Sequence, residues 1–191
     1  MLHPITRPNE PRGEYRRLKV DMPLRIRPAT PDDIPEILAL IRELADYERE
    51  PHSAVATADD LMRDGFTEPK RFHCLMAEVD GAVAGFALYF YNYSTWRGHA
   101  GIYLEDLFVR PTHRGNGVGK GLLASVAAIA VKEGCPRLEW AVLDWNKPAI
   151  DFYESVGAVG MTEWTIMRVS GDALPALANA APQASARLAS S

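Results

Sequence analysis

The sequence predicts an α/β domain in which a central mixed, mostly antiparallel sheet is flanked by helices. Three observations carry that expectation. The elements read in the order β α α β β β α β α β, the apolar period changes from helical to alternating near residue 72, and a glycine-rich turn joins a strand to a long helix in mid-chain. Leu24 to Arg27 alternates as a short strand. Thr30 then stands as an N-cap with Pro31 at the first helical position, and Ile34, Ile37, Leu38, Ile41, Leu44 and Ala45 follow the i, i+3, i+4, i+7 spacing of one buried helix face. A second, short helix starts after Thr57, with Asp59 and Asp60 in its first turn. Phe72 to Val79 and Ala82 to Tyr91 read as strands joined at Asp80-Gly81, a type I′ hairpin signal. Gly101 to Val109 is a third strand, and a helix follows from about Gly117 to Glu133, ended by Gly134. Arg137 to Leu143 reads as another strand, Pro148 to Val156 as another helix, and Met161 to Val169 as a final strand.

The 191 residues, 47% apolar and 24% charged, suit one globular domain with chain to spare. The spare length falls at the ends: residues 1–22, with Pro4, Pro8 and Pro11, read as a flexible extension, 23–172 as the domain, and the Ala- and Ser-rich 173–191 as a disordered tail. Net charge is −4, but residues 1–20 hold five basic and two acidic side chains, which leaves 16 basic and 23 acidic for the rest. An acidic body without a basic stripe argues against nucleic acid as the main partner and favours a cationic or neutral substrate. Cys74 and Cys135 stand alone, without the spacing of a disulfide framework or a zinc site, and read as small buried apolar residues. His3, His52, His73, His99 and His113 show no ligand spacing, so no metal is implied. The longest apolar runs, Ala82 to Tyr91 and Gly121 to Val131, fall short of the roughly 18–20 residues that cross a bilayer. With prolines and charges where a signal peptide would be apolar, the expected location is cytoplasmic, away from membranes.

The most informative stretch is Arg114-Gly115-Asn116-Gly117-Val118-Gly119-Lys120-Gly121, between a strand and a helix. Successive backbone N–H groups and a helix N-terminus there can hold a phosphate, and Arg110, Arg114 and Lys120 add positive charge. Two familiar phosphate motifs fail on spacing. In a G-x-G-x-x-G fingerprint the last glycine would fall on Lys120 in one register and Leu122 in the other, and a P-loop would need a glycine at Arg114 and a Ser or Thr at Gly121.

The pattern that fits is Arg-x-x-Gly-x-Gly over Arg114 to Gly119, after the strand Leu104 to Val109 and before Asn146 and Phe152-Tyr153. It resembles the pyrophosphate loop of the GNAT superfamily of acetyl-CoA-dependent N-acetyltransferases. Five stretches, in order, are similar to the diamine (spermidine/spermine) and thialysine acetyltransferases: Ile26 to Thr30, Leu44 to Glu48, Tyr103 to Val109, Trp145 to Pro148 and Asp151 to Glu154. The resemblance runs over about 25–169 and implies a single GNAT-like domain, acetyl-CoA as co-substrate, a small cationic amine as acceptor and a homodimer. It places Leu107, Phe108, Val109, Arg114, Gly115, Asn116, Gly117, Val118, Gly119, Lys120, Asn146 and Pro148 at the cofactor. Tyr47, Glu48, Trp96, Glu105, Asp106 and Glu163 fall to the amine, and Tyr153 to the proton of the departing thiolate.

The chemistry can be stated in its own terms. Acyl transfer needs a neutral amine, yet an alkylamine of pKa about 10.4 is about 99.9% protonated at pH 7. A carboxylate must therefore take a proton, directly or through water, and Glu105 is the candidate, with Asp106 beside it. In a regular strand the two point to opposite faces, so one of them is expected to face the substrate. The carbonyl oxygen gains charge in the transition state, and the backbone near Leu107 or Phe108 is placed to donate to it. Direct attack is expected rather than an acyl-enzyme, because neither cysteine lies in a matching motif. Plainer roles stay open: Tyr153 as helix packing beside Phe152, Glu105 and Asp106 as surface charges, and Asn146 as an N-cap as well as a cofactor contact. The segments Ser94 to Gly101 and Glu139 to Ala141 depart from the polyamine enzymes, which leaves a peptide or protein amine, or a non-catalytic acyl-CoA-binding role, as alternatives.

Overall fold

The computed structural model describes residues 24–182; the extension expected at 1–22 and residues 183–191 lie outside the described residues. Two compact units divide at Ala141/Val142.

The first unit is built on a five-stranded sheet in the order β1-β2-β3-β4-β5. β1 (Leu24–Pro28), β2 (His73–Val79), β3 (Ala82–Ser94) and β4 (His99–Val109) form an antiparallel meander, and β5 (Leu138–Glu139) lies parallel to β4. A parallel neighbour requires a crossover, which α3 (Val118–Lys132) supplies. The turn between β2 and β3 falls on Asp80 (φ 52°) and Gly81 (φ 78°), both left-handed as a type I′ turn demands. α1 (Ile34–Tyr47) and the short α2 (Ala58–Leu61) cover one face of the sheet, where Ile37, Leu40, Met76 and Phe86 are wholly buried with Leu88 and Phe108. α3 lies against the other face, so close to β1 that a Cβ on Gly121 would meet Leu24 and Ile26 at about 3 Å.

The start of α1 is held by charge as well as by capping. Arg27 donates from Nη1 and Nη2 to the two oxygens of Asp33 at 2.7 and 2.8 Å and from Nε to Glu78 at 2.7 Å, while the Thr30 N–H donates to Asp33 at 2.7 Å. The Arg27 guanidinium holds the Asp33 carboxyl well below the usual carboxylate range, with the Thr30 donors adding to it. Asp33→Asn is expected to lower stability by about 2 kcal/mol at pH 7, since it breaks a bidentate, mostly buried pair. Because the folded pKa is depressed, this contribution is present above about pH 4 and is lost as pH falls through the folded value. Urea unfolding at pH 7 and at pH 3 should therefore show a gap between wild type and variant that is smaller at pH 3.

The second unit holds α4 (Lys147–Ser155) and α5 (Ala173–Ala178). Three expectations need correction here and at the sheet edge. The strand read over Arg137 to Leu143 shrinks to Leu138–Glu139, because it pairs with β4 only at Ile102 and Tyr103. The final strand read over Met161 to Val169 is irregular, for alternation marks a ribbon with two faces but only a neighbouring backbone makes it a strand. The tail expected to be disordered from 173 instead begins with α5.

Candidate active site

β4 delivers the chain to the glycine-rich loop. After Val109 comes a turn at Pro111–His113, then Arg114, whose Nε donates to the Val109 carbonyl at 2.8 Å. Gly115 and Gly117 have φ of 77° and 82°, where a side chain would be strained, and a Cβ at either would find no atom within 4 Å. Gly117 caps α3, so the unpaired N–H groups of a 15-residue helix open onto exposed space beside Arg114, Asn116 and Lys120. Such an arrangement can hold an anion. Val118 and Phe108 bury their side chains, and Leu107 and Val109 are half-buried, so what Phe108 and Val118 can offer a ligand is backbone.

Arg110 does not join the loop's positive charge. It pairs with Glu36 at 2.6 Å and Glu43 at 2.8 Å on α1 and donates to the Val83 carbonyl at 3.0 Å, tying the end of β4 to the helix. Arg114 instead lays its guanidinium over the Tyr47 ring, 4.7 Å from its centroid, and 5.5 Å from that of Phe108. These residues line a pocket of about 300 Å³ with Glu43, Asp46 and Pro111. Glu43 and Asp46 were not anticipated from the sequence, although the i, i+4 relation of Glu43 to Tyr47 on one helix was the available signal for Glu43.

The centre of β4 is not a regular strand. Leu88 pairs with Asp106 and the next residue, Tyr89, pairs with Leu104, which leaves Glu105 as the extra residue of a β-bulge. The bulge reverses the parity of the strand. Tyr103, opposite Phe90 with ring centroids 5.2 Å apart, and Asp106, opposite Leu88 and in line with Phe108, belong to the same face, the one covered by α1. The expectation that Glu105 and Asp106 point to opposite faces is therefore corrected: an extra residue lets two adjacent side chains share one side. Electrostatics agrees. The Asp106 carboxyl is pushed up to about 7, by burial first and then by the charges of Glu105 and Glu48, and burial also raises Glu48. The Glu105 and Glu139 charges add to burial in raising the Tyr103 phenol. Glu48, at the end of α1, thus joins Glu105 and Asp106 in an acidic group over mid-β4.

On its other edge β4 pairs with β5 only at Ile102 and Tyr103, so among the described residues no strand covers its backbone from the bulge to the loop. This open edge, with the loop at its end, suits a long anionic ligand that carries amide groups of its own.

Other expected residues stand elsewhere. Trp96 is 89% exposed on the β3–β4 turn, at the end of β4 remote from the loop, six or more residues and roughly 20 Å of strand from Glu105. The structure does not bring it to the acidic group. Glu163 is exposed in the irregular stretch of the second unit. In that unit Asn146 is buried and accepts from the Ala149 N–H at 3.4 Å, capping α4, with Pro148 in the first turn. Tyr153 is half-buried on α4, its ring 5.2 Å from that of Phe152. Cys74 is buried and its thiol is pushed up to about 12, chiefly by burial, and Cys135 is also buried, so neither is a ready nucleophile. No helix among the described residues is long and apolar enough to cross a membrane.

Known proteins resemble the chain over most of its length. The model of the acetyltransferase (GNAT) family matches residues 37–158. A thialysine N-epsilon-acetyltransferase of Bos taurus is 43% identical over 164 residues, covering 80% of this chain and 96% of its own. An L-ornithine N5-acetyltransferase of Arabidopsis thaliana is 36% identical over 198 residues, covering 80% of this chain and 87% of that one. Among solved structures, an integron cassette protein from the mobile metagenome of V. cholerae superposes with a TM-score of 0.68 at 28% identity, over 81% of this chain and 97% of that one.

Proposed function

The chain belongs to the GNAT family of N-acetyltransferases, and on that premise we propose that it moves acetyl from acetyl-CoA to a primary amine of a small polyamine, diamine or diamino acid by direct attack. The observation that carries the acceptor class is the group formed by Glu48, Glu105 and Asp106: three carboxylates at mid-β4 select a cation. The relatives support it, one being a thialysine and one an ornithine acetyltransferase, both named for diamino acids.

GNAT acetyltransferases use acetyl-CoA, which supplies an acetyl group activated as a thioester. The residues present fit it. The N–H groups from Gly115 to Lys120, with Arg114 and Lys120, suit the phosphates, and the open β4 edge suits an amide-bearing arm. The backbone near Leu107 or Phe108 offers an N–H group to the acetyl carbonyl oxygen, and Asn146 and Pro148 at the start of α4 complete the expected contacts. Tyr47 and Glu48 hold the amine, with Glu163 as a further contact. Proton removal falls to the carboxylates at the bulge, with Glu105 on the solvent side, alone or through water. Tyr153 donates its Oη proton to the departing sulfur. The protein acts in the cytoplasm as a homodimer, without a metal, and away from nucleic acid and membranes, a reading supported by its acidic body.

The test is direct. The purified full chain is mixed with acetyl-CoA and, separately, spermidine, spermine, ornithine, lysine, thialysine or a short peptide, and free thiol is read. Turnover of at least one small amine is expected, faster than of the peptide. Turnover of none would remove the proposal, and preference for the peptide would move it to a protein amine.

A further inference from the structure

We propose that Arg137 and Glu139 at β5, with Asn92 on β3, form a subsite for the head group of a diamino acid, Arg137 taking the α-carboxylate and Glu139 the α-ammonium. The proposal rests on the amine-acetylating reading above and narrows its acceptor. Its basis is a gap in the sheet surface at Gly101. Asn92 stands opposite Gly101 in the β3–β4 ladder, and because Gly101 has no side chain, groups from β3 and β5 meet over β4. Asn92 Nδ2 donates to Glu139 Oε2 at 3.0 Å, Arg137 Nη2 donates to Asn92 Oδ1 at 3.3 Å, and Arg137 Nε stands 3.0 Å from Glu139 Oε2. A Cβ on Gly101 would come within 2.6 Å of Asn92 Oδ1 and 2.8 Å of Arg137 Nε, so the trio requires glycine there. Asn92 follows Leu88 and Phe90 at even steps along β3, which puts the trio on the same face as Tyr103 and Asp106.

The trio is not closed on itself. Among the described residues the Arg137 guanidinium donates one hydrogen bond, to Asn92, and its Nε is buried without one. The side chain is partly exposed, so the outer N–H groups of its fork remain for a carboxylate. Glu139 uses Oε2 in both of its contacts, which leaves Oε1 to accept from an ammonium. Register sets the spacing. Glu139 pairs with Tyr103 and Arg137 lies over Gly101, so from the bulge toward the β3–β4 turn the order is Asp106 and Glu105, then Glu139, then Arg137. Tyr103 is two residues from Glu105, roughly 7 Å of strand, a length comparable with the separation of the two ammonium groups in ornithine or lysine. Burial, then the charges of Glu105 and Glu139, raise the Tyr103 phenol, which thus feels both ends of this row. A diamine or polyamine has no carboxylate for Arg137, whose charge repels its second cation. Gly101 and Glu139 also belong to the two segments in which the sequence departs from the polyamine enzymes.

The experiment compares amines that differ only by the carboxylate, ornithine against putrescine and lysine against cadaverine, with wild type, Arg137→Gln and Arg137→Lys. Wild type is expected to favour the amino acid of each pair by about 10- to 100-fold in kcat/KM, with the difference falling on KM. Arg137→Gln should raise KM for ornithine and lysine by that factor and lower it for putrescine and cadaverine, because the repelling cation is gone. Arg137→Lys keeps the charge without the fork and should recover part of the preference. Melting temperature and calorimetric binding of CoA report on folding. The wild-type comparison needs no variant: equal turnover of ornithine and putrescine overturns the subsite and leaves the acetyltransferase reading standing. A preference that survives Arg137→Gln, or a KM that rises for all four amines together as a structural brace would make it, does the same. A wild type that acetylates no amine overturns the proposed function and takes this subsite with it.

Discussion

Replacing Tyr153 by phenylalanine is expected to lower kcat about 100-fold or more while leaving acetyl-CoA binding unchanged. The ring has a place that phenylalanine keeps: Tyr153 is half-buried on α4 against Phe152, and the Asn146 cap that starts the helix is untouched. What disappears is one hydroxyl. A free thiol has a pKa of about 8.5, so at pH 7 the sulfur that leaves the acetyl group must collect a proton, and without Oη it must take it from water. The loss should therefore fall on kcat rather than on KM for acetyl-CoA, and it should shrink as pH falls. Steady-state kinetics with calorimetric binding of CoA decides it. Unchanged kcat would end the acid assignment and return Tyr153 to helix packing.

Gly85→Ala should destabilise the fold by about 3 kcal/mol, a fall of roughly 10 °C in melting temperature. Gly85 pairs with Val109 across β3 and β4, and a Cβ there would collide with the Phe108 carbonyl oxygen and stand 3.0 Å from the Val109 Cα. Both obstacles are backbone, at the last pair of the ladder, so neither can rotate away. β4 must shift, and it is this end of β4 that carries Val109, the anchor of Arg114, into the loop. KM for acetyl-CoA should rise together with the loss of stability. A variant that melts with wild type and binds acetyl-CoA equally well would show that the strands have slack which their spacing denies.

The two residues illustrate different kinds of legibility. Tyr153 could be found from the sequence because it sits in a short motif whose helix is announced locally by Asn146 and Pro148. Gly85 could not, since nothing in its neighbours along the chain says that Val109 will lie against it. The same contrast runs through the site. Gly115, Gly117 and the start of α3 are written in consecutive residues, and the loop is where they predict it. The bulge at Glu105 is a mismatch in count between β3 and β4, visible only once the strands are paired, so regular alternation sets Glu105 and Asp106 on opposite faces where the bulge lets them share one. Arg110 reads as loop charge in the sequence, yet Glu36 and Glu43, about 70 residues earlier, claim it. The hairpin at Asp80-Gly81 was clear for the reason that Met161 to Val169 was not: a tight turn is made by its own dihedral angles, whereas a strand exists only beside another.

By itself the sequence determined the helices up to α4, the glycine loop and its sign, the order of the elements as far as α4 and the class of chemistry. All of these follow from periodicity, local hydrogen bonding and charge within a few residues. Only the tertiary structure decided which carboxylates share a face, which arginine remains over the loop, and where the sheet stops pairing. Those depend on register between strands and on ion pairs between distant segments, and neither free-energy term exists until the chain has folded.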